Sequence, residues 1–85
     1  MKEGLIVYLV GGQEIPEPSD LSEKCRELGL PAQQVELVAR SQGFFTVEDA
    51  WHHLLTRGFG RISLLVAQWQ PDALNPIHPP VRLCG

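Results

Sequence analysis

The sequence predicts a small single-domain α/β fold, a βαβαβ sandwich with a largely parallel sheet and two helices. Three observations carry this. Residues 5–10 are apolar on both faces, residues 46–58 form a capped amphipathic helix, and residues 62–69 return to a strand with two apolar faces. Strands alternating with helices point to crossover units and parallel pairing.

Leu5-Ile6-Val7-Tyr8-Leu9-Val10 is short, rich in β-formers and stopped by Gly11-Gly12. A strand buried on both faces has this pattern. A polar loop with Pro16 and Pro18 follows, and Ser19 or Asp20 is placed to cap a helix. Leu21, Cys25 and Leu28 recur at helical spacing. Gly29 then ends the helix, with Leu30 placed for the apolar contact that accompanies a glycine cap, and Pro31 prevents continuation.

Residues 35–40 alternate, with Val35, Leu37 and Ala39 on one face and Glu36, Val38 and Arg40 on the other, as in a half-exposed strand. After the loop Ser41-Gln42-Gly43, Thr46 and Asp49 approximate a capping box, and Phe45 is a candidate staple against Ala50 or Trp51. Val47, Ala50, Trp51, Leu54 and Leu55 make one helical face, and Gly58 follows it. In residues 62–69, Ile62, Leu64 and Val66 share one face, and Ser63, Leu65, Ala67 and Trp69 the other.

Residues 1–70 therefore form the core domain. Residues 71–85 form a proline-rich tail packed on it, irregular over 71–80, with a candidate short edge strand at 81–84. Strand order 2-1-3 puts the helices on opposite faces and the wholly apolar strand at the centre. The alternative is a ferredoxin-like βαββαβ α+β fold in which Phe44-Phe45 supplies a strand. That strand would be central, yet only about three residues long against a usual ~5–6.

The chain has 85 residues, 44% hydrophobic and 20% charged. That suffices for one core but not for a large enclosed cavity. Net charge is -3, unevenly spread. Residues 1–49 hold nine acidic and four basic side chains, whereas residues 50–85 hold Arg57, Arg61 and Arg82 against Asp72 alone. Without clustered Lys and Arg to neutralise phosphates, nucleic-acid binding is not expected. The six-residue apolar run near the start is too short for a membrane span or a signal-peptide core. The two cysteines form no CxxC motif, so the expected compartment is a reducing cytoplasm.

Ligands of parallel sheets bind at the carboxyl ends of the strands. The candidate ligand-binding residues are therefore Gly11, Gly12 and Gln13 in the first such loop, and Ser41, Gln42, Gly43 and Thr46 in the second. The glycines permit close backbone approach and the polar groups sit near a helix N-terminus. Gly11-Gly12-Gln13 is nevertheless neither GxGxxG nor a phosphate loop, and Glu14, Glu17, Asp20, Glu48 and Asp49 repel anions. A turn with ordinary capping explains the same residues.

His52 and His53 point about 100° apart on a helix, so they do not easily share a metal. Either pairs with Asp49 one turn away, and His78 is on the tail. Zinc needs three or four converging ligands, so no metal and no cofactor is expected. Cys84 is a thiol candidate for a carrier or redox role, with Arg82 the nearby cation that would lower its pKa. Cys25 reads as packing. The strand–loop–helix–strand rhythm from Arg40-Ser41-Gln42-Gly43 through Trp69 resembles the back half of a rhodanese domain. The loop lacks the nucleophilic cysteine of that chemistry, so no activity is carried over.

Of Trp51, Trp69, Phe44, Phe45 and Phe59, Trp51 is on the core stripe, and one or two of the five are expected at the surface, where aromatics mark interfaces. The resulting expectation is a non-catalytic interaction or regulatory module, homodimeric or bound to a protein partner. Its alternatives are a small-ligand domain or small enzyme at the two loops, and a thiol function at Cys84.

Overall fold

The computed structural model describes residues 2–11, 15–30, 33–39, 43–44, 46–70 and 73–84, with Cys84 described in its backbone alone. The elements are β1 (Lys2–Leu9), α1 (Pro18–Glu27), β2 (Gln34–Val38), α2 (Val47–Thr56), β3 (Phe59–Gln70), β4 (Ala73–Pro76) and β5 (Val81–Cys84). One mixed sheet holds all five strands in the order β2-β1-β3-β4, with β5 also on β3. The pairings of β1 with β2 and with β3 are parallel. β4 pairs antiparallel with residues 67–70 of β3, and β5 pairs antiparallel with residues 62–64. The two short strands thus share one flank of β3.

The ferredoxin-like alternative fails on this register. Residues 43 and 44 contribute one isolated parallel bridge, Val38 to Phe44, in place of a central strand.

The sheet divides the core in two. Leu5, Val7, Leu9, Leu65, Ala67 and Leu74 face α1 and pack with Leu21 and Cys25. Ile6, Val38 and Ile62 face α2 and pack with Ala50, Leu54 and Phe59. The alternation expected along residues 35–40 and 62–69 is present at its described positions: Val35, Leu37 and Ala39 face α1, and Val38, Ile62 and Leu64 face α2. Gly4 lies directly under Leu54. A Cβ there would stand 3.0 Å from Leu54 Cδ1, so the glycine makes room for the helix.

The helix ends explain their own placement. Leu30 N–H donates to the Cys25 carbonyl and Gly29 N–H to that of Arg26. With Gly29 at φ 76° this is a Schellman cap, and Leu30 packs back on the α1-side core. α1 starts at Pro18, so its N-cap falls two residues before Ser19 and three before Asp20, the expected caps. Glu17 occupies the N-cap position without a side-chain bond, because proline's fixed φ suits the first helical position.

Two further departures matter. β3 begins at Phe59 and runs twelve residues, longer at both ends than residues 62–69. Residues 73–76, expected to be irregular, form β4, with Leu74 buried opposite Trp69. Burying that leucine stabilises the pairing. Pro76 sits at the end of an outer strand, where its missing N–H costs no ladder bond.

Candidate functional site

β1 and β2 are parallel neighbours, so the loops after Leu9 and Val38 leave the same end of the sheet. Of the seven candidate ligand residues, Gly11, Gly43 and Thr46 are described, whereas Gly12, Gln13, Ser41 and Gln42 lie outside the described residues. Gly11 is exposed at φ 67°, just past the bond from Val10 N–H to the Ala67 carbonyl. Thr46 Oγ1 accepts from Asp49 N–H at 3.1 Å, so its hydroxyl caps α2. The Phe45 staple also lies outside the described residues.

Gly43 has a structural task. Phe44 N–H donates to the Leu37 carbonyl at 2.9 Å, which folds residues 43–44 over the outer edge of β2. A Cβ on Gly43 would lie 2.3 Å from that carbonyl oxygen. Beside it is a cavity of about 170 Å³ lined by Pro18, Leu21, Val35, Leu37, Phe44 and others. Its walls are mainly apolar and Glu36 is the charged group in it.

The histidines separate. His52 Nε2 stands 3.8 Å from Glu48, and His53 Nε2 stands 3.3 Å from Glu36 Oε2. Neither of these pairs is the one with Asp49 suggested by helical spacing. Glu36 also accepts from Gln34 Nε2, and the His53 ring packs 4.9 Å from Phe44. This cluster ties α2 to the edge strand. Its sequence signal was the alternation of β2, which puts Glu36 on the same face as Val38, the face α2 covers. Among the described residues no three His, Cys, Asp or Glu side chains converge. Burial pushes the Cys25 thiol up to about 11, which leaves it a packing group. The thiol of Cys84 lies outside what is described.

The most distinctive surface is on the α2 face, beyond the helix. Tyr8 shares the parity of Ile6 and is paired with Val66, and Ile77 N–H donates to the Val66 carbonyl at 2.8 Å. One pleat away, Leu64 pairs with Val81. Tyr8, Ile77 and Val81 are 39%, 48% and 46% exposed, while Leu64 and Val66 are half-buried. Trp51 and Leu83 border this row from α2 and β5. Leu55, one turn after Trp51 on the helix stripe, is exposed rather than buried. The indole N–H of Trp51 is buried with no acceptor among the described residues. No charged side chain belongs to the row. Apolar side chains of β1, β3 and β5, together with Ile77, thus face outward on the sheet face covered by α2, a helix of ten residues.

No protein-family model matches the chain, and no curated protein or solved structure matches it. Fold and surface together define a class: a compact mixed-sheet α/β domain with an open apolar sheet face. No helix among the described residues is long and apolar enough to cross a membrane.

Proposed function

We propose that this chain is a non-catalytic interaction module that forms a homodimer through the open sheet face of Tyr8, Leu64, Val66, Ile77 and Val81. The observation carrying the proposal is that row of adjacent, outward-facing apolar side chains. Burying such area is the main favourable term in association. Lack of charge favours a second copy as the occupant. Each copy carries a net charge of -3, and a two-fold interface sets identical patches against each other. A charged patch would repel itself there, whereas an uncharged apolar one is self-complementary. Stable interfaces take roughly 800 Å² from each partner. A patch of a few hundred Å² therefore has to extend onto the flank of α2 at Trp51 and Leu55. Two cysteines without a pairing motif support a cytoplasmic setting.

Sedimentation across the micromolar range tests this. The natural chain is expected to run as a dimer, and the double variant Tyr8→Lys, Val81→Lys as a folded monomer. A natural chain that stays monomeric throughout refutes the proposal.

One observation favours a second reading, a small-ligand domain or small enzyme at the loops carrying Gly11 and Gly43. The parallel β1–β2 pair delivers both glycines to one sheet end. Saturable chemical-shift changes at Gly11, Gly43 and Thr46 with a cytosolic metabolite mixture would support it. A full set of unmoved amides there would end it.

A further inference from the structure

β2 is the last strand on its side of the sheet. Along a strand, the N–H and C=O of one residue point to the same edge, and those of the next residue to the other. The Leu37 carbonyl points outward, since it accepts from Phe44 N–H at 2.9 Å. Val35, two residues earlier, therefore turns its own N–H and C=O outward as well. The β1 side agrees. Val10 N–H turns to the Ala67 carbonyl of β3, so Leu5, of the other parity, turns to β2. In a parallel ladder it meets the residues flanking its register partner, which is Val35. Among the described residues, the bridge from Val38 to Phe44 is the one pairing on the outer side of β2. Residues 34–36 are thus an open edge, and all three are half-buried.

Two cavities lie along this edge beside α1. One is the mainly apolar space of about 170 Å³ between Pro18 and Leu21 of α1 and Val35, Leu37 and Phe44. The lining of the other, about 520 Å³, includes Ser22, Arg26, Gln33 and Gln34. Val35 borders both, so they adjoin as one groove between α1 and the outer strand. The charges differ along it. At the Phe44 end, Glu36 borders the apolar cavity, and Glu17 sits next to Pro18 and one turn before Leu21. At the Gln33 end the charged group in the lining is Arg26.

We propose that this groove takes an extended peptide segment of a partner protein, which adds to β2 as an antiparallel strand. In this mode main-chain bonds give attachment and alternate side chains give selectivity. The peptide residue opposite Val35 exchanges two backbone bonds with it. Its side chain shares the α1 face with that of Val35 and enters the apolar cavity, which has room for one branched aliphatic group. The preceding peptide residue lies opposite Glu36, where a lysine makes a cross-strand pair of opposite charge. Glu36 already meets His53 and Gln34, but a carboxylate has about four acceptor sites. The residue two after the aliphatic one returns to the α1 face beside Arg26, whose fork suits a carboxylate. The recognised pattern is basic, aliphatic, polar, acidic.

A second copy of the chain fits this edge poorly. A two-fold pairing of β2 with itself centred on Val35 sets Gln33 of the other copy against Leu37, where residues 43–44 already lie. One centred on Glu36 opposes two like charges. A peptide that leaves the edge at Leu37 meets neither obstacle. The edge is separate from the outward row of Tyr8 and Val81, so this proposal and the homodimer fail independently.

The test is an amide chemical-shift titration of the full chain with the capped peptide acetyl-Ser-Lys-Leu-Thr-Glu-Ser-amide. Saturable shifts are expected at Val35, Leu37 and Phe44, with Tyr8 and Val81 unmoved. Methylating the leucine nitrogen removes the donor to the Val35 carbonyl. It should weaken binding at least roughly fivefold, the net value of one backbone hydrogen bond. Exchanging the lysine and glutamate keeps the composition but turns both charge pairs into like-charge ones, and should weaken binding several-fold. Val35→Pro removes the outward N–H and leaves the ladder to β1 in place. It should abolish the shifts, with a thermal midpoint showing that the chain is folded; if it does not fold, the methylated peptide carries the test. No saturable shifts, or equal binding of the methylated or the charge-exchanged peptide, overturns the proposal. Loss of a natural dimer in folded Val35→Pro, read by sedimentation, would give the edge to a second copy and overturn it too.

Discussion

Replacing Gly43 with alanine tests the close approach of residues 43–44 to the β2 backbone, where an added Cβ has the least room of the glycines compared. Two costs fall at this position. The backbone is left-handed at φ 79°, which charges an L-residue roughly 1–2 kcal/mol. The new Cβ would also meet the Leu37 carbonyl oxygen at 2.3 Å, against backbone that cannot swing aside as a side-chain end does. Relief requires residues 43–44 to back away from β2. The bond from Phe44 N–H to Leu37 then goes, worth about 1 kcal/mol, along with part of the packing of Phe44 on the α2-side core and on the His53 ring. The total is about 3 kcal/mol. Gly58 is the matched control: φ is 87°, and a Cβ there meets nothing within 4 Å. Gly58→Ala therefore carries only the backbone cost of roughly 1–2 kcal/mol. Urea unfolding of both variants at one fixed protein concentration measures the gap. It should be about 1–2 kcal/mol, or roughly 4–16 °C in thermal midpoint for a domain this size. Equal losses for the two variants would show that the approach of residues 43–44 to β2 does not hold.

Other expectations follow from single contacts. Gly4→Ala overpacks Leu54 and should cost about 1–3 kcal/mol, but much less in a Leu54→Ala background, where the methyl enters vacated space; additive losses in the double-mutant cycle would contradict the contact. Thr46→Ala removes the cap on Asp49 N–H and should cost about 1 kcal/mol by urea unfolding, with Thr46→Ser recovering most of it. The Cys25 thiol is raised from 9.0 to about 11 in the folded state. Its contribution to stability is therefore fully present below pH 9 and is lost as pH rises from 9 through 11. Cys25→Ala should unfold with a shallower loss over that window, and native Cys25 should alkylate far more slowly than free cysteine; fast alkylation at neutral pH would contradict the burial.

The topology was legible because burial and period agreed residue by residue. An apolar run with no polar face, 5–10, belongs in the middle of a sheet covered on both sides, and β1 is there. The alternation of Val35, Leu37 and Ala39 against Glu36 and Val38 pointed to an outer strand, and β2 is one. β4 was not legible because Pro71, Pro76, Pro79 and Pro80 dominate the local signal, whereas the pairing is decided by Leu74 meeting Trp69 across the sheet. The proposed dimer surface was not visible in the aromatics singled out from sequence: Phe59 is buried and Phe44, Trp51 and Trp69 are half-buried, whereas Tyr8 is the exposed ring. The location of the row depends on which strands α2 leaves uncovered, and that follows from strand order. Tyr8 in particular reads as core within its run.

Among the described residues β3 alone touches three other strands, and this has a consequence for how the chain acquires its shape. The central strand β1 is completed on its second side by residues 59–67, more than fifty positions later in the chain. Until those residues are available, the apolar segment 5–9 has β2 alone as a neighbour and an open edge on the other side. Pairing at such separation must first overcome loop-closure entropy, which slows folding. Residues 5–9, with no charge and strong β preference, are then the segment most able to pair with another chain in the interval. The step that commits the molecule is the docking of β3 on β1. Refolding at high protein concentration leaves this intramolecular step unchanged but speeds the competing pairing between chains, and should favour aggregation over recovery.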